Sequence, residues 1–311
     1  MKKATKILAA AGAAAVTAAA VTVKTVSDYA INSRSRMFRD RHAGEAPLPQ
    51  SARTERVTIK NTDGIALTGH ILRVQKPERI ILAVHGWRSS WQHDFRDQCG
   101  MLEELGCEVL YIDQQAHGQS DGKYIGFGVK ERFDCLEWLK YLEAHNERRL
   151  PIYLFGVSMG ATTVMLASEL IGSGRVCGII ADCGFTSAGD IWRYAINQKS
   201  KYGSDSFYRL SDIRCMRRAG YRGDTRSTVQ ALGNTDIPLL FIHGGEDRFV
   251  PTEMSRINFE NCASEKRLVI VEGAKHARSC RVAPQLYRTE LMNFFAKYDK
   301  IPETEEIYDN K

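Results

Sequence analysis

A serine stands between two glycines in the sequence Gly156-Val157-Ser158-Met159-Gly160. Residues 151–155 before it form an apolar run that predicts a buried strand, and residues 161–167 after it have a helical composition. A G-x-S-x-G pattern between a strand and a helix is typical of a sharp turn that raises a reactive hydroxyl above the sheet. The helix N-terminus also offers N–H groups that stabilise an oxyanion. The pattern therefore predicts Ser158 as a nucleophile.

Residues that could activate this serine follow two later predicted strands. Asp247 comes after the apolar run that ends at Ile242, and His276 comes after the run that ends at Val271. Open α/β sheets build their sites at the carboxyl ends of strands, so both side chains are expected to approach Ser158. A neutral imidazole is a suitable base near pH 7, and a carboxylate fixes its tautomer. We predict His276 as the base and Asp247 as the acid.

Two backbone N–H groups are predicted to form an oxyanion hole. Met159 supplies one because it directly follows the nucleophile, and Trp87 supplies the other because it follows the His85-Gly86 turn after a predicted strand.

Other residues compete for these roles. Asp182 also ends a predicted strand and is the alternative acid, and Glu246 is the neighbour of the favoured one. His243 and His117 are interpreted as structural histidines. Cys183 is interpreted as a packed thiol, because it lacks the sharp strand-to-helix turn of a nucleophile and a glycine at a helix start.

The segments that must position these residues alternate between apolar runs and helical patterns. Continuous apolar runs are typical of parallel strands covered on both faces. The pattern therefore predicts an α/β protein with a doubly wound, mostly parallel sheet, preceded by a hairpin over residues 57–72 with its turn at 61–64. The predicted strands are residues 80–84, 109–112, 152–155, 177–181, 238–242 and 268–271, and the predicted helices are 94–105, 129–145, 161–171, 253–262 and 284–298.

Residues 186–236, which we call the lid segment, interrupt this alternation after the sixth strand. The segment is too long for one crossover helix, and we predict a small lid over the site. Its arginines are predicted either to steer an anionic substrate or lipid surface, or to form an ordinary solvated face. They are Arg209, Arg214, Arg217, Arg218, Arg222 and Arg226.

The N-terminus has the order of a targeting segment. Lys2, Lys3 and Lys6 precede an uncharged run over residues 7–23, which predicts a signal peptide or membrane anchor, with an alanine-rich helix as the alternative. We assign residues 1–50 to this segment and a linker, 51–299 to one catalytic domain and 300–311 to a tail. The chain up to Arg41 is expected to be dispensable for chemistry. A membrane-associated or exported location follows, with the side of the membrane undecided.

Composition excludes several classes of function. The net charge of +6 is modest, and there is no zinc-ligand spacing, no P-loop and no G-x-G-x-x-G after a strand. We therefore predict no metal, no organic cofactor and no nucleic-acid partner. None of the eight cysteines forms a C-x-x-C pair, and several lie in apolar or helical patterns typical of buried thiols.

From about Arg56 to Tyr298 the chain resembles an α/β-hydrolase. The order Ser158, Asp247, His276 is the order of that family. G-x-x-D-x-x-V-P around Asp247 and G-x-x-H around His276 resemble its acid and base loops. Residues 113–120 resemble its D-x-R-G-x-G-x-S loop but depart from it at positions 115 and 116, which are Gln and Ala. Residues 181–185 are similar to bacterial membrane-anchored or exported serine hydrolases grouped with prolyl-oligopeptidase-like or lysophospholipase-like enzymes.

The resemblance implies a serine hydrolase that cleaves carboxylic esters through an acyl-enzyme, with thioesters and amides as less favoured substrates. The expected partner is a small-molecule or lipid ester. Two alternatives are a serine peptidase of the prolyl-oligopeptidase type and a non-catalytic binding member of the fold. A haloalkane or epoxide hydrolase is disfavoured because it needs aspartate at position 158.

Overall fold

The computed structural model describes residues 21–32, 53–199 and 204–299, and this part of the chain contains one eight-stranded sheet. The strands are β1 (Thr54–Lys60), β2 (Ala66–Leu72), β3 (Arg79–Val84), β4 (Cys107–Ile112), β5 (Ile152–Val157), β6 (Gly178–Asp182), β7 (Leu239–Gly244) and β8 (Lys266–Val271). They lie in the order β1-β2-β4-β3-β5-β6-β7-β8. β2 pairs antiparallel with β1 and β4, and all other pairs are parallel.

Helices cover both faces of the sheet. They are α1 (residues 21–31), α2 (Trp91–Asp94), α3 (Cys99–Glu104), α4 (Glu131–Ala144), α5 (Met159–Ala167), α6 (Ala188–Asn197), α7 (Ser204–Ala219), α8 (Thr228–Leu232), α9 (Thr252–Asn261), α10 (Ser279–Val282) and α11 (Pro284–Tyr298), with a 3₁₀ turn at Ser168–Leu170 after α5. The predicted doubly wound, mostly parallel fold is confirmed.

Burial on both faces explains why the strands read as continuous apolar runs. Along β5, Tyr153 and Phe155 pack into a cluster with the rings of α2 and α11, whereas Ile152 and Leu154 pack into a second cluster with α4 and α5. All four side chains are buried, as β-strand alternation with two covered faces requires. The two clusters fix the carboxyl ends of the strands at one edge, where the candidate site lies.

Local chemistry explains where the elements differ from their predicted bounds. The predicted hairpin is present, and the Asn61 side-chain oxygen accepts hydrogen bonds from the N–H groups of Asp63 and Ile65, which closes its turn. The single helix predicted over residues 94–105 is instead α2 and α3. Ser90 begins α2 early because its hydroxyl accepts the His93 N–H. The lid segment contains α6, α7 and α8.

The helix α1 packs against the rest of the protein near the lid segment. Ile31 is buried in a third apolar cluster that includes Phe127 and Tyr221. Asp28 forms an ion pair of 2.7 Å with Arg214 of α7. Most of the predicted targeting segment, residues 1–20, lies outside the described residues. Within the described residues, each helix is too short or too polar to cross a membrane.

Candidate active site

The turn between β5 and α5 has the sharp geometry predicted for Ser158. This residue has φ 56° and ψ −119°, a conformation that L-residues rarely adopt. Close approach explains the neighbouring glycines. A Cβ on Gly156 would lie 2.3 Å from the Gly160 carbonyl, and a Cβ on Gly160 would lie 1.9 Å from the Val84 carbonyl oxygen. The turn therefore needs glycine at both positions.

Ser158, His276 and Asp247 form one hydrogen-bonded chain at the carboxyl ends of three strands. The His276 Nε2 atom lies 2.9 Å from Ser158 Oγ, and His276 Nδ1 lies 2.6 Å from Asp247 Oδ2. Ser158 is 6% exposed and the Asp247 side chain is fully buried. An imidazole in this position can take a proton from the hydroxyl on one side while the carboxylate holds the opposite nitrogen.

The carboxylate of Asp247 is stabilised in its ionised form. Its Oδ1 atom accepts the backbone N–H groups of Phe249 at 2.8 Å and Val250 at 3.0 Å. Burial raises the pKa of this carboxyl, but the hydrogen bonds from His243 and His276 outweigh burial and hold the pKa well below its usual range. Asp247 is therefore an anion whenever His276 is functional as a base.

The turn after β3 carries one unused N–H group beside the serine. The Gly86 N–H donates to Asp94 Oδ2 at 2.6 Å and the Arg88 N–H donates to His117 Nε2 at 3.0 Å. Between them, the Trp87 N–H has no partner among the described residues. A Cβ on Gly86 would lie 3.1 Å from Ser158 Cβ, which shows how close this turn approaches the serine. Met159 begins α5, where the first N–H groups lack intrahelical acceptors.

Comparison with known proteins finds sequence similarity over part of the chain. A family model described as serine aminopeptidase, S33, matches residues 75–189, which include Trp87 and Ser158 but not Asp247 or His276. The uncharacterized protein YqkD of Bacillus subtilis (strain 168) is 29% identical over 236 residues, which are 76% of this chain and 77% of that protein.

Solved structures establish the fold. The esterase Pf2001 of Pyrococcus furiosus superposes with a TM-score of 0.65 at 22% identity, covering 79% of this chain and 93% of the esterase. The chain has the α/β-hydrolase fold. Est1E of Butyrivibrio proteoclasticus, solved with ferulic acid, has a TM-score of 0.60 at 19% identity and covers 78% of this chain and 98% of Est1E. The resemblance to an α/β-hydrolase is thereby confirmed for the fold.

Asp182 lies beside the site of this α/β-hydrolase-fold protein without contacting His276 through a hydrogen bond. Its Oδ2 atom accepts the Tyr287 hydroxyl at 2.9 Å, and its backbone oxygen accepts the Ser158 N–H at 2.8 Å. The residue is fully buried, and burial raises the pKa of its carboxyl to about 6. Asp182 therefore supports the turn through its backbone, while its side chain binds Tyr287.

The other competing residues lie in structural or exposed positions. Glu246 is exposed. His243 is fully buried, and its ring nitrogens lie 2.6 Å from Ser255 Oγ and 3.0 Å from the Val250 carbonyl oxygen. Burial lowers the pKa of His117 to about 3, so its neutral Nε2 accepts the N–H of the turn after β3. These two histidines fix loops of the site.

Cys183 lies near Asp247 and His276, but its thiol is unreactive. Its Sγ atom lies within 4.8 Å of ligand atoms of Asp247 and His276, an arrangement that could hold a metal ion. Burial raises the pKa of the Cys183 thiol well above its usual value, and a protonated thiol is a poor nucleophile and a poor metal ligand.

Three of the six lid-segment arginines, which were predicted to form one positive surface, are paired with carboxylates. Arg214 pairs with Asp28, Arg222 with Asp212 and Arg226 with Glu169. Arg209, Arg217 and Arg218 are exposed on α7. Two of the acidic partners, Asp28 and Glu169, come from outside the lid segment, so counting charges within the segment overestimated its positive surface.

An aromatic group beside the site was missed in the sequence. The rings of Trp87 and Phe127 have centroids 6.0 Å apart, and those of Phe127 and Trp192 are 5.2 Å apart. Phe249 lies 4.8 Å from the His276 ring. The signal available in the sequence was Phe127 between two glycines.

A groove of about 510 Å³ lies between the hairpin turn and the end of α7. Ser158, His276 and Asp247 do not line this groove.

Proposed function

We propose that this protein is a serine hydrolase that cleaves carboxylic esters through an acyl-enzyme. The observation that carries the proposal is the hydrogen-bonded chain from Ser158 through His276 to Asp247, at 2.9 Å and 2.6 Å. As part of this proposal, residues 51–299 form the catalytic domain and the lid segment covers its active site. No metal or organic cofactor takes part in the chemistry of these three side chains.

In the first half of the reaction, Ser158 Oγ attacks the ester carbonyl carbon while His276 Nε2 takes the hydroxyl proton. The negative charge that develops on the carbonyl oxygen is stabilised by the N–H groups of Met159 and Trp87. The tetrahedral intermediate collapses, and the leaving alcohol receives the proton from His276. Asp247 stabilises the imidazolium throughout.

In the second half, a water molecule attacks the acyl-serine while His276 again takes a proton. The new tetrahedral intermediate collapses and returns the proton to Ser158 Oγ, which releases the carboxylic acid. The bonds broken are the ester C–O bond and one water O–H bond, and the bonds formed are the acid C–O bond and the alcohol O–H bond.

The aromatic side chains favour an ester with an apolar group. Phe127 contacts both Trp87 and Trp192 next to the proposed oxyanion hole, and Met159, Val250 and Met254 lie in the same apolar cluster. The similarity to Pf2001, which is named as an esterase, and to Est1E, which was solved with ferulic acid, supports this assignment. The alternative of a serine peptidase is supported by the description of the matched family model as serine aminopeptidase.

We expect p-nitrophenyl esters to be hydrolysed with kcat/KM at least about 100-fold above that for aminoacyl p-nitroanilides. Each apolar methylene buried against these side chains contributes about 0.8 kcal/mol, so kcat/KM should rise about threefold to fourfold per methylene until no further apolar surface is available. The measurement is initial rates over a series of acyl chain lengths and a matched anilide series. A preference for the anilides would support the peptidase, and no turnover of either class would overturn the proposal.

We also propose that the protein associates with membranes through its N-terminal segment. The lysines and the apolar run over residues 7–23 support this, together with an exposed face of α7. Leu210 is 52% exposed, Ile213 is 37% exposed and Met216 is 46% exposed, with Arg209 and Arg217 on the same side of the helix. A basic and apolar helix face is suited to an anionic lipid surface.

In flotation assays, the full-length protein is expected to bind vesicles of phosphatidylcholine mixed with phosphatidylglycerol more tightly than vesicles of phosphatidylcholine alone. Each arginine near an anionic surface contributes about 1 kcal/mol, so Arg209→Gln with Arg217→Gln should weaken binding by about 10-fold or more. Arg288→Gln, on α11, is the control and should bind like the parent. A full-length protein that stays wholly with the unbound fraction would contradict the proposal.

A further inference from the structure

The C-terminal end of α1 is built into the turn that carries the proposed oxyanion-hole residue. The Trp87 indole Nε1–H donates to the Ala30 carbonyl oxygen at 2.9 Å. The ring of Tyr29 packs edge-on against the Trp87 ring, with centroids 5.5 Å apart. The Ile125 N–H donates to the Ile31 carbonyl oxygen at 2.7 Å, which joins α1 to the loop before α4. These bonds connect residues more than fifty positions apart.

Arg88, the next residue in the same turn, is a largely buried cation that binds α1. Its Nη2 group donates to the carbonyl oxygens of Tyr29 and Asn32, at the end of the helix. Its guanidinium lies over the Tyr29 ring, 4.7 Å from the centroid, and 5.4 Å from that of Trp87. No carboxylate within the described ranges pairs with it, and burial lowers its pKa. The partial negative charge at the end of α1 therefore replaces a carboxylate as its counter-charge.

The backbone of Arg88 also depends on this arrangement. It has φ 51°, a left-handed conformation that costs an L-residue about 1 kcal/mol or more. Two anchors hold it there: the Arg88 N–H donates to His117, and the guanidinium binds the end of α1. If α1 leaves, the buried cation loses its partners, and a move into water would be strongly favourable. The turn would then relax and carry the Trp87 N–H with it.

We propose that α1 is a positioning element of the active site, which holds the Trp87 N–H towards the oxyanion through the clamp between Arg88 and the last carbonyl groups of α1. The inference rests on the proposed function and assigns Arg88 as a positioning residue. It replaces the expectation that the chain up to Arg41 is dispensable for chemistry. Catalysis thereby becomes dependent on the docking of residues 21–32.

The test compares full-length variants in hydrolysis of the best p-nitrophenyl ester. Arg88→Met removes the clamp and should lower kcat about 10-fold to 100-fold, because a misplaced oxyanion donor costs up to about 10³. KM should change less than about threefold, since an oxyanion donor acts mainly in the transition state. Inhibition by a boronic acid, which mimics the tetrahedral intermediate, should weaken in parallel with kcat.

Matched variants separate positioning from general stability. Arg88→Lys retains a cation that can donate to the helix end and should recover part of kcat. Ile31→Asp places a charge in the apolar cluster that holds α1 and leaves Trp87 and Arg88 themselves unchanged, so it should undock α1 and lower kcat like Arg88→Met. Arg132→Met removes another largely buried arginine, which pairs with Glu169 away from α1, and should keep kcat and boronate affinity near the parent values even if the melting temperature falls.

The outcomes distinguish this inference from the proposed function. An active parent whose folded Arg88→Met and Ile31→Asp variants keep kcat within about twofold would overturn the positioning role of α1 and leave the hydrolase assignment intact. Folding of each variant is checked by circular dichroism, and if Arg88→Met does not fold, Ile31→Asp decides. A parent that turns over no ester and binds no boronic acid would overturn both proposals.

Discussion

Replacement of Ser158 by alanine is expected to lower kcat/KM for the best p-nitrophenyl ester by about 10⁵-fold or more. The loss is this large because no covalent intermediate can form, so only binding and the oxyanion hole remain. Folding should be retained, since within the described residues the serine hydroxyl hydrogen-bonds only to His276, and the backbone N–H bonded to Asp182 is unchanged. The measurements are steady-state kinetics, thermal unfolding and labelling with a fluorophosphonate probe.

Ser168→Ala is the matched control. Ser168 is another buried serine, and it lies at the opposite end of α5, where its hydroxyl donates to the Met165 carbonyl oxygen. This variant should keep its activity and its labelling. Undiminished fluorophosphonate labelling of Ser158→Ala would show that a different residue is the nucleophile.

Asp247→Asn is expected to lower kcat by about 10⁴-fold with little change in fold. An amide cannot stabilise the imidazolium, and an amide N–H turned towards His276 Nδ1 selects the tautomer whose Nε2 carries a proton and cannot accept one. The two backbone N–H groups bind Oδ1, and the two histidines approach Oδ2. The fold should be retained because the asparagine carbonyl oxygen can accept the two backbone hydrogen bonds while its N–H₂ group faces the histidines. The effect is measured by determining kcat of the variant and of the parent from acid to alkaline pH.

Asp182→Asn is the control for that substitution because Asp182 is the competing carboxylate at the next strand end. We expect its kcat to stay within about threefold of the parent, because its side chain binds Tyr287 rather than His276. If Asp182→Asn were the more damaging change, the acid would have to be reassigned to β6.

The same control has a predictable effect on stability. Burial raises the pKa of the Asp182 carboxyl to about 6 in the folded protein, above its value in the unfolded chain. As pH rises from about 4 to about 6 the unfolded state ionises first, so this residue lowers native stability over that window by up to about 3 kcal/mol. Above about pH 6 the cost stays constant. The asparagine variant should lack this decline in chemical denaturation curves.

Much of the site followed from residues near one another in sequence. The glycines around Ser158, the continuous apolar runs and the positions of Asp247 and His276 after strands are all local signals, and strand topology then requires these residues to meet at one edge. The sequence also showed that the loop over residues 113–120 has Ala116 where the family has glycine. That residue nevertheless adopts φ 64°, so the loop keeps the backbone that glycine would favour.

What the sequence could not provide depends on contacts between distant segments. Arg88 and Tyr29 carry no pattern that links them, and the clamp exists only because α1 packs against the turn after β3. The partners of Arg214 and Arg226, on α1 and after α5, were hidden for the same reason. The start of α2 before residue 94 was missed because it depends on the Ser90 cap, and a cap is a weak signal inside an apolar pattern.

The proposed mechanism requires Ser158 to carry the acyl group during turnover. The most direct measurement is to mix the full-length protein with excess p-nitrophenyl ester, quench with acid within the first turnovers, and map the peptides by mass spectrometry. We expect one acyl adduct, on Ser158, together with a burst of p-nitrophenol whose amplitude approaches the enzyme concentration whenever deacylation is the slower step. An adduct on Cys183 or another residue, or turnover with no adduct under conditions that give a burst, would contradict it.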